Sequence, residues 1–311
     1  MTVIDIAGLR RHIGTRISEE DIATEAPLKA IVAAFDRKED APREGQPIPP
    51  GWHIGYFLSS APTATLETDG LPMGTGVLPQ IPLPRRMYAG SRFTFHAPIL
   101  VGDRLRRETE LTDLQLRAGS TGTLLLTTQT RRISTPRGLA ITEEADSVFR
   151  EEVKAGAKSG IPKRDEPPAG LPWRRTITPG PVNLFRLSAL TGNPHRIHYD
   201  RPYAMEVEGY PGLVVHGPFT QTVLIDFVRD NNPGHAIQSF DMRARAPLFD
   251  TAPYDLVGRP VDGGAACEVW ALTPIGTIAM QARATFACQV VAAMPAVSAR
   301  RKPAPAATAA R

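Results

Sequence analysis

The sequence predicts an α+β chain in which one unit, a helix followed by a long curved antiparallel sheet, occurs twice. Three observations predict it. Residues 103–116 (DRLRRETELTDLQL) and 121–135 (TGTLLLTTQTRRIST) alternate polar and apolar positions around a GSTG turn, the pattern of an antiparallel hairpin with one buried face. Residues 93–100 (FTFHAPIL) return at a constant offset of 149 as 242–249 (MRARAPLF), and each copy is followed by an acidic residue and a pair of long strands. Between the copies, residues 155–172 (AGAKSGIPKRDEPPAGLP) concentrate Gly, Pro and charge, as a linker does.

Along the chain, residues 17–37 are expected to be helical. Ser18 with Glu19, Glu20 and Asp21 supplies an acidic first turn, and Ile22, Ala23, Leu28, Ile31, Val32 and Phe35 follow at helical spacing. Residues 38–50 are loop, and 59–86, rich in Pro, Gly and Thr, form a long loop of the kind that lines a site or crosses an interface. Strands follow at 91–100, 103–116 and 121–135. Beyond the linker a helix at 181–192 precedes a polar cluster, a second helix runs over 217–229, and strands occupy 237–247, 253–259, 264–272 and 277–290. The expected organisation is a first half at 1–154, the linker at 155–172, a second half at 173–292 and a disordered tail at 293–311.

Composition excludes several classes. Hydrophobic content of 42% with 22% charge is that of a soluble globular protein. There is no run of about 18 apolar residues and no leader-like start, so a cytoplasmic protein without membrane contact is expected. The net charge of +4 comes from scattered arginines, and 6% aromatic content shows no stacking pattern, which argues against nucleic acid. Cys267 and Cys288 lack CxxC spacing and read as core residues of a reduced protein.

Residues 184–220 are the place to look for function. Asn193, His195, Arg196, His198, Tyr199 and Asp200 cluster between two apolar runs, and His216-Gly217-Pro218 opens an apolar helix some sixteen residues further on. Three of the seven histidines fall here. A general base beside a helix N-terminus that can hold a negative oxygen is an arrangement for carbonyl chemistry. The first half has no counterpart of the HxxH cluster or the HGP turn, only GWHIGYFLSS and the Pro-rich loop, so one site is expected, roofed by the first half.

At these residues, GNPHRIHYD (192–200), Ala204 and GYPGLVVHG (209–217), the chain resembles the MaoC-like hydratase/dehydratase family. With LPRRMYAGSRFTF in the first half, it is similar to a narrower double hot-dog branch of that family. That branch holds mesaconyl-C4-CoA and itaconyl-CoA hydratases and mitochondrial 3-hydroxyacyl-thioester dehydratases. The resemblance implies a double hot-dog fold, an acyl-CoA substrate and no metal or redox cofactor, with coenzyme A present as part of the substrate. It places the family's catalytic His on His198 and the family's catalytic Asp on Asn193, which is a departure.

Hydration of an enoyl thioester needs a base for water, an acid for the α-carbon and donors for the thioester oxygen. His198 is the expected acid/base group, because imidazole titrates near neutrality. Asn193 does not titrate and is expected to position water or substrate, which leaves His195 to supply a second proton-transfer group or merely to orient the turn. The Gly217 N–H is expected to donate to the thioester oxygen, and His216 to pack nearby. Arg196, Arg201, Arg243 and Arg245 are candidates for the phosphates of coenzyme A, and Arg85 and Arg86 for a second carboxylate on a short dicarboxylic acyl group. Asp200 is expected to fix the loop; with HxxH in a turn rather than at helical spacing, a metal site is not expected. The reading is therefore an enoyl-CoA hydratase for a short branched dicarboxylic substrate, itaconyl-CoA or mesaconyl-C4-CoA, with a homodimer possible. The alternatives are a dehydratase of fatty acid synthesis and, in another class, a non-catalytic acyl-CoA-binding protein.

Overall fold

The computed structural model describes residues 4–72, 74, 76–119, 122–151 and 165–287. Among the described residues four α-helices, α1 (Ile6–Arg10), α2 (Glu25–Ala34), α3 (Pro181–Thr191) and α4 (Gly217–Asn231), accompany ten strands. The first half supplies β1 (Arg16–Ile22), β2 (Arg85–Phe95), β3 (Arg104–Gly119), β4 (Gly122–Thr135) and β5 (Gly138–Arg150). The second supplies β6 (Trp173–Ile177), β7 (Ile237–Ala244), β8 (Tyr254–Val261), β9 (Ala266–Leu272) and β10 (Ile278–Phe286). All ten form one antiparallel sheet in the order β1-β3-β4-β5-β2-β7-β10-β9-β8-β6.

The halves meet where the repeat sits. In the β2–β7 pair Phe93 faces Phe240, Ser91 faces Met242, and Arg92 faces Asp241, its own counterpart at the 149-residue offset. A segment that pairs antiparallel with its own repeat copy at that offset has the self-complementary register of a two-fold contact.

The expected helix at 17–37 is corrected. Only Glu25–Ala34 is helical, burying Leu28, Ile31 and Ala34 on one face, whereas Arg16–Ile22 is an edge strand on β3. The acidic run that imitates a helix start is matched by basic residues on the facing strand: Arg107 donates to Glu19, and Arg106 to Ser18. Cross-strand pairing of this kind overrides the local signal. The strands at 138–150 and 173–177 and the short helix α1 were not anticipated, and the expected strands at 237–247 and 277–290 end at Ala244 and Phe286. Residues 155–164 of the expected linker, Cys288, the expected tail and Ser120–Thr121 of the GSTG turn lie outside the described residues.

α4 is the axis of the molecule. Every residue from Phe219 to Val228 is buried, as expected of a helix covered on all its faces. At the 149-residue offset its counterpart falls on 68–82, where no helix forms among the described residues. Val77, Leu78 and Leu83 of that loop pack instead on Leu111, Leu114, Leu125 and Phe149 of the first half-sheet. The long loop thus fills part of the space that a second central helix would take.

Asp226 is the polar exception on α4, 1% exposed. Its Oδ1 accepts from Trp52 Nε1 (3.0 Å) and Arg229 Nη1 (2.7 Å), while Oδ2 has no hydrogen bond and lies 3.8 Å from Arg37 Nη1. Burial pushes the carboxyl up from 3.8 to about 6, against the pull of Arg229 and Arg37. A carboxyl with a raised folded-state pKa favours folding only while protonated, so its penalty grows as pH rises from about 4 to about 6 and persists above. We therefore expect Asp226→Asn to gain about 3 kcal/mol relative to the wild type between pH 4 and pH 7. Denaturant unfolding at both pH values measures this, and a pH-independent difference would mean that Asp226 is ionised throughout.

Candidate active site

α3 ends at Gly192, whose φ of +60° turns the chain back on itself; a Cβ there would lie 3.0 Å from Ser59 N. Asn193 then closes a tight loop: its N–H donates to Ser188 O (2.9 Å) and its Oδ1 accepts the His195 N–H (3.1 Å). One 3₁₀ turn, Arg196–His198, delivers His198 to the interior at 7% exposure. Val214 N–H donates to Ile197 O (3.0 Å), and His198 Nδ1 lies 2.8 Å from Val214 O. This double stitch holds the histidine loop against the segment that leads into α4.

The Val214 carbonyl can only accept, so its contact assigns the proton to His198 Nδ1 and leaves the lone pair on Nε2. Among the described residues Nε2 makes no hydrogen bond. The His198 ring stacks on His216 (centroids 3.6 Å apart, planes at 19°) and meets His195 edge-on at 5.4 Å. His216, the residue before α4, contacts Ser188 Oγ through Nε2 (2.9 Å), and its buried Nδ1 has no partner. Burial drives all three rings toward the neutral form. His198 is held down at about 3, with His195 adding to the effect, and His195 at about 4, with the Arg86 charge adding to it. His216 falls well below its ordinary range.

α4 starts with no side-chain cap, and Pro218 has no N–H, so the Gly217 N–H is one of the few donors at this end. Gly217 is pressed against the first half, since a Cβ would sit 2.3 Å from Tyr88 Cδ1. Tyr88 Oη donates to Gln221 Oε1 on α4 (2.5 Å) and lies 2.8 Å from Ser91 Oγ, which donates to Glu143 Oε1 (3.0 Å). Arg131 closes the chain on Glu143 Oε2 (3.0 Å).

The Pro-rich loop of the first half grips the histidine loop from outside. Arg196 N–H donates to Asp69 O (2.8 Å), Arg196 Nη1 donates to Thr68 O (2.9 Å), and Gly70 lies so near Pro194 O that a Cβ would approach it to 2.1 Å. Asp69 Oδ2 is 3.9 Å from His195 Nε2. Arg86, half-buried, lies 5.7 Å over the Phe149 ring, and its charge acts on both Asp69 and His195.

The fold therefore brings together His195, His198, His216, Gly217 and Arg86, with Asn193 shaping the loop. Other expected residues are engaged elsewhere. Arg196 is committed to Asp200 (2.8 Å), Thr68 O and the Tyr203 ring, and Asp200 also accepts the Tyr203 N–H (3.2 Å), starting the next turn. Arg85 pairs with Glu208 (3.3 Å), and Arg201 with Asp250. Arg243 is exposed and alternates with Phe240 and Met242, which are buried under α4; Arg245, just beyond the end of β7, is exposed too. Strand alternation turns Arg243 to the face of the sheet opposite Phe240 and Met242, so the structure does not bring it together with the three histidines. Asp69, Tyr88, Ser188 and Gln221 were missed. Asp69 alone carried a signal, as part of a TDG turn in a loop expected to line a site.

Residues 51–250 match the family described as hydroxyacyl-thioester dehydratase type 2. The chain is 42% identical over 271 residues to mesaconyl-C(4)-CoA hydratase of Chloroflexus aurantiacus, covering 87% of this chain and 95% of that protein. The solved structure of HtdX from Mycobacterium tuberculosis is similar with a TM-score of 0.61 at 18% identity, over 88% of this chain and 100% of that one. A second M. tuberculosis protein, described as having a double hot-dog fold, matches with a TM-score of 0.55 at 13% identity, over 88% and 96%. The structural likenesses show the double hot-dog fold.

Two outcomes are expected of this geometry. His198→Ala should fold and lose about a hundredfold or more in turnover, the loss typical of removing a general acid/base; wild-type turnover would reject His198. Gly217→Ala should cost about 1–3 kcal/mol through its clash with Tyr88. In a double-mutant cycle that cost should shrink by about 1 kcal/mol or more on a Tyr88→Ala background, whereas strict additivity would clear the ring of blame.

Proposed function

The chain belongs to the hydroxyacyl-thioester dehydratase type 2 family, and on that premise we propose that it is a hydro-lyase adding water reversibly to a short dicarboxylic enoyl-CoA. Mesaconyl-C4-CoA or itaconyl-CoA would be the substrate and citramalyl-CoA the product, in the cytoplasm and with no metal or redox cofactor. The observation that carries the reading is the open Nε2 of His198, stacked at 3.6 Å on the residue that precedes the uncapped start of α4. A proton acceptor and a field that favours negative charge thus lie one ring apart.

The chemistry follows from these positions. Nε2 of neutral His198 takes a proton from water while its Nδ1–H stays with Val214 O. The water oxygen bonds to the β-carbon, the π pair shifts toward the thioester, and the α-carbon gains a proton. The Gly217 N–H and the α4 dipole would hold the charge that develops on the thioester oxygen. Asn193, with Oδ1 engaged by the His195 N–H, keeps the loop in shape.

The mesaconyl-C4-CoA reading draws on the likeness to the C. aurantiacus hydratase and on Arg86. Burial pushes this guanidinium down to about 10, so a second carboxylate on the acyl group would offset its desolvation. Arg86→Lys or Arg86→Ala should therefore damage mesaconyl-C4-CoA or itaconyl-CoA turnover far more than crotonyl-CoA turnover, by about 2 kcal/mol. Steady-state kinetics on both kinds of acyl-CoA decide it, and equal losses would remove Arg86 from substrate selection. The reverse reaction on a carrier-protein thioester is the second reading, favoured by the family description. Turnover of 3-hydroxyacyl-carrier protein with no hydration of the CoA esters would establish it instead.

A further inference from the structure

Hydration moves a proton twice, off water and onto the α-carbon, and a second ring can serve the second transfer. His198 has one nitrogen on Val214 O, and His216 has one on Ser188 Oγ. Among the described residues the His195 ring makes no hydrogen bond through either nitrogen, yet Asp69 Oδ2 stands 3.9 Å from its Nε2. Among the described residues this is the carboxylate that comes within 4 Å of any of the three rings.

The carboxylate is delivered deliberately. Asp69 Oδ1 accepts the Leu71 N–H (2.8 Å), which turns Oδ2 toward His195. Its own carbonyl accepts the Arg196 N–H (2.8 Å), and Gly70 is wedged against Pro194 O. The acid and the imidazole are therefore tied together through the backbones on either side of them, although they come from different halves of the chain. Among the described residues the charged and titratable groups around the pair include Arg86, Arg196, His198 and Tyr203, with His216 behind His198.

We propose that Asp69 is a positioning residue for His195, fixing its tautomer with the proton on Nε2 and balancing the cation formed when His195 carries a proton to or from the α-carbon. This rests on the hydratase reading above. In the balanced cycle one proton leaves water for His198 and hydroxide bonds to the β-carbon. That proton passes from His198 to Nδ1 of His195, forming the cation that Asp69 balances, and His195 delivers it to the α-carbon, so that one water is consumed and both rings end neutral. A base oriented by a third group is a recurring catalytic arrangement, here assembled across the two halves.

Asp69→Asn tests it with little risk to the loop, because the amide oxygen can keep the Leu71 N–H. The amide NH₂ would then face His195 Nε2 as a donor in place of an acceptor and reverse the preferred tautomer. In ¹⁵N-resolved spectra of the imidazoles at pH 7, the wild-type His195 should carry its proton on Nε2 and Asp69→Asn should move it to Nδ1. With mesaconyl-C4-CoA, kcat should fall about tenfold or more with KM within about twofold, and Asp69→Glu should recover part of the loss. An unchanged tautomer overturns the proposal, as does a raised KM with wild-type kcat, which would mark a loop role alone. If the wild type hydrates no enoyl-CoA, the hydratase reading fails, and the tautomer result still decides the Asp69–His195 pair.

Discussion

A single apolar helix, enclosed on all sides, is the constraint on which the rest of this molecule depends. α4 buries every residue from Phe219 to Val228, and neither half-sheet could cover such a helix alone. The β2–β7 pairing joins the two half-sheets into one surface, and a core cluster running from Leu28 and Trp52 through Phe93 to Leu184, Phe227 and Phe240 makes the halves inseparable. Trp52 reaches from the first half to Asp226 on the helix, so even the polar exception is bound across the boundary.

Enclosing one helix rather than two makes the halves unequal. Where a second central helix would lie, the first half has a loop, and a loop brings main-chain groups and polar side chains that a packed helix would have hidden. That loop supplies the Thr68 and Asp69 carbonyls that hold Arg196 and the carboxylate that faces His195. The repeat has been turned to asymmetric use: one copy carries the histidines and the other closes over them.

The same enclosure sets the electrostatics. Three imidazoles packed at 3.6 and 5.4 Å cannot all be protonated in an interior, and burial keeps them neutral. A neutral His198 with its Nδ1 anchored is ready to accept a proton rather than to donate one. Burial likewise pushes the Arg86 guanidinium beside them down to about 10, with the Arg131 charge adding to the effect.

Much of this was legible in the sequence, for a physical reason. Alternation, the 149-residue repeat and the HxxH–HGP cluster are local or periodic signals, and they suffice for the α+β class, for helices at 181–192 and 217–229, and for His195, His198 and His216 as neighbours in one segment. Tertiary structure decided what depends on a facing chain. Ser18–Ile22 reads as a helix start until Arg106 and Arg107 lie opposite, and only the pleat decides that Arg243 faces away from Phe240 and Met242. Tyr88 against Gly217, and Asp69 against His195, join residues more than a hundred positions apart, and no local pattern encodes such a contact. Side-chain periodicity records which face of an element is buried; it does not record what is buried against it.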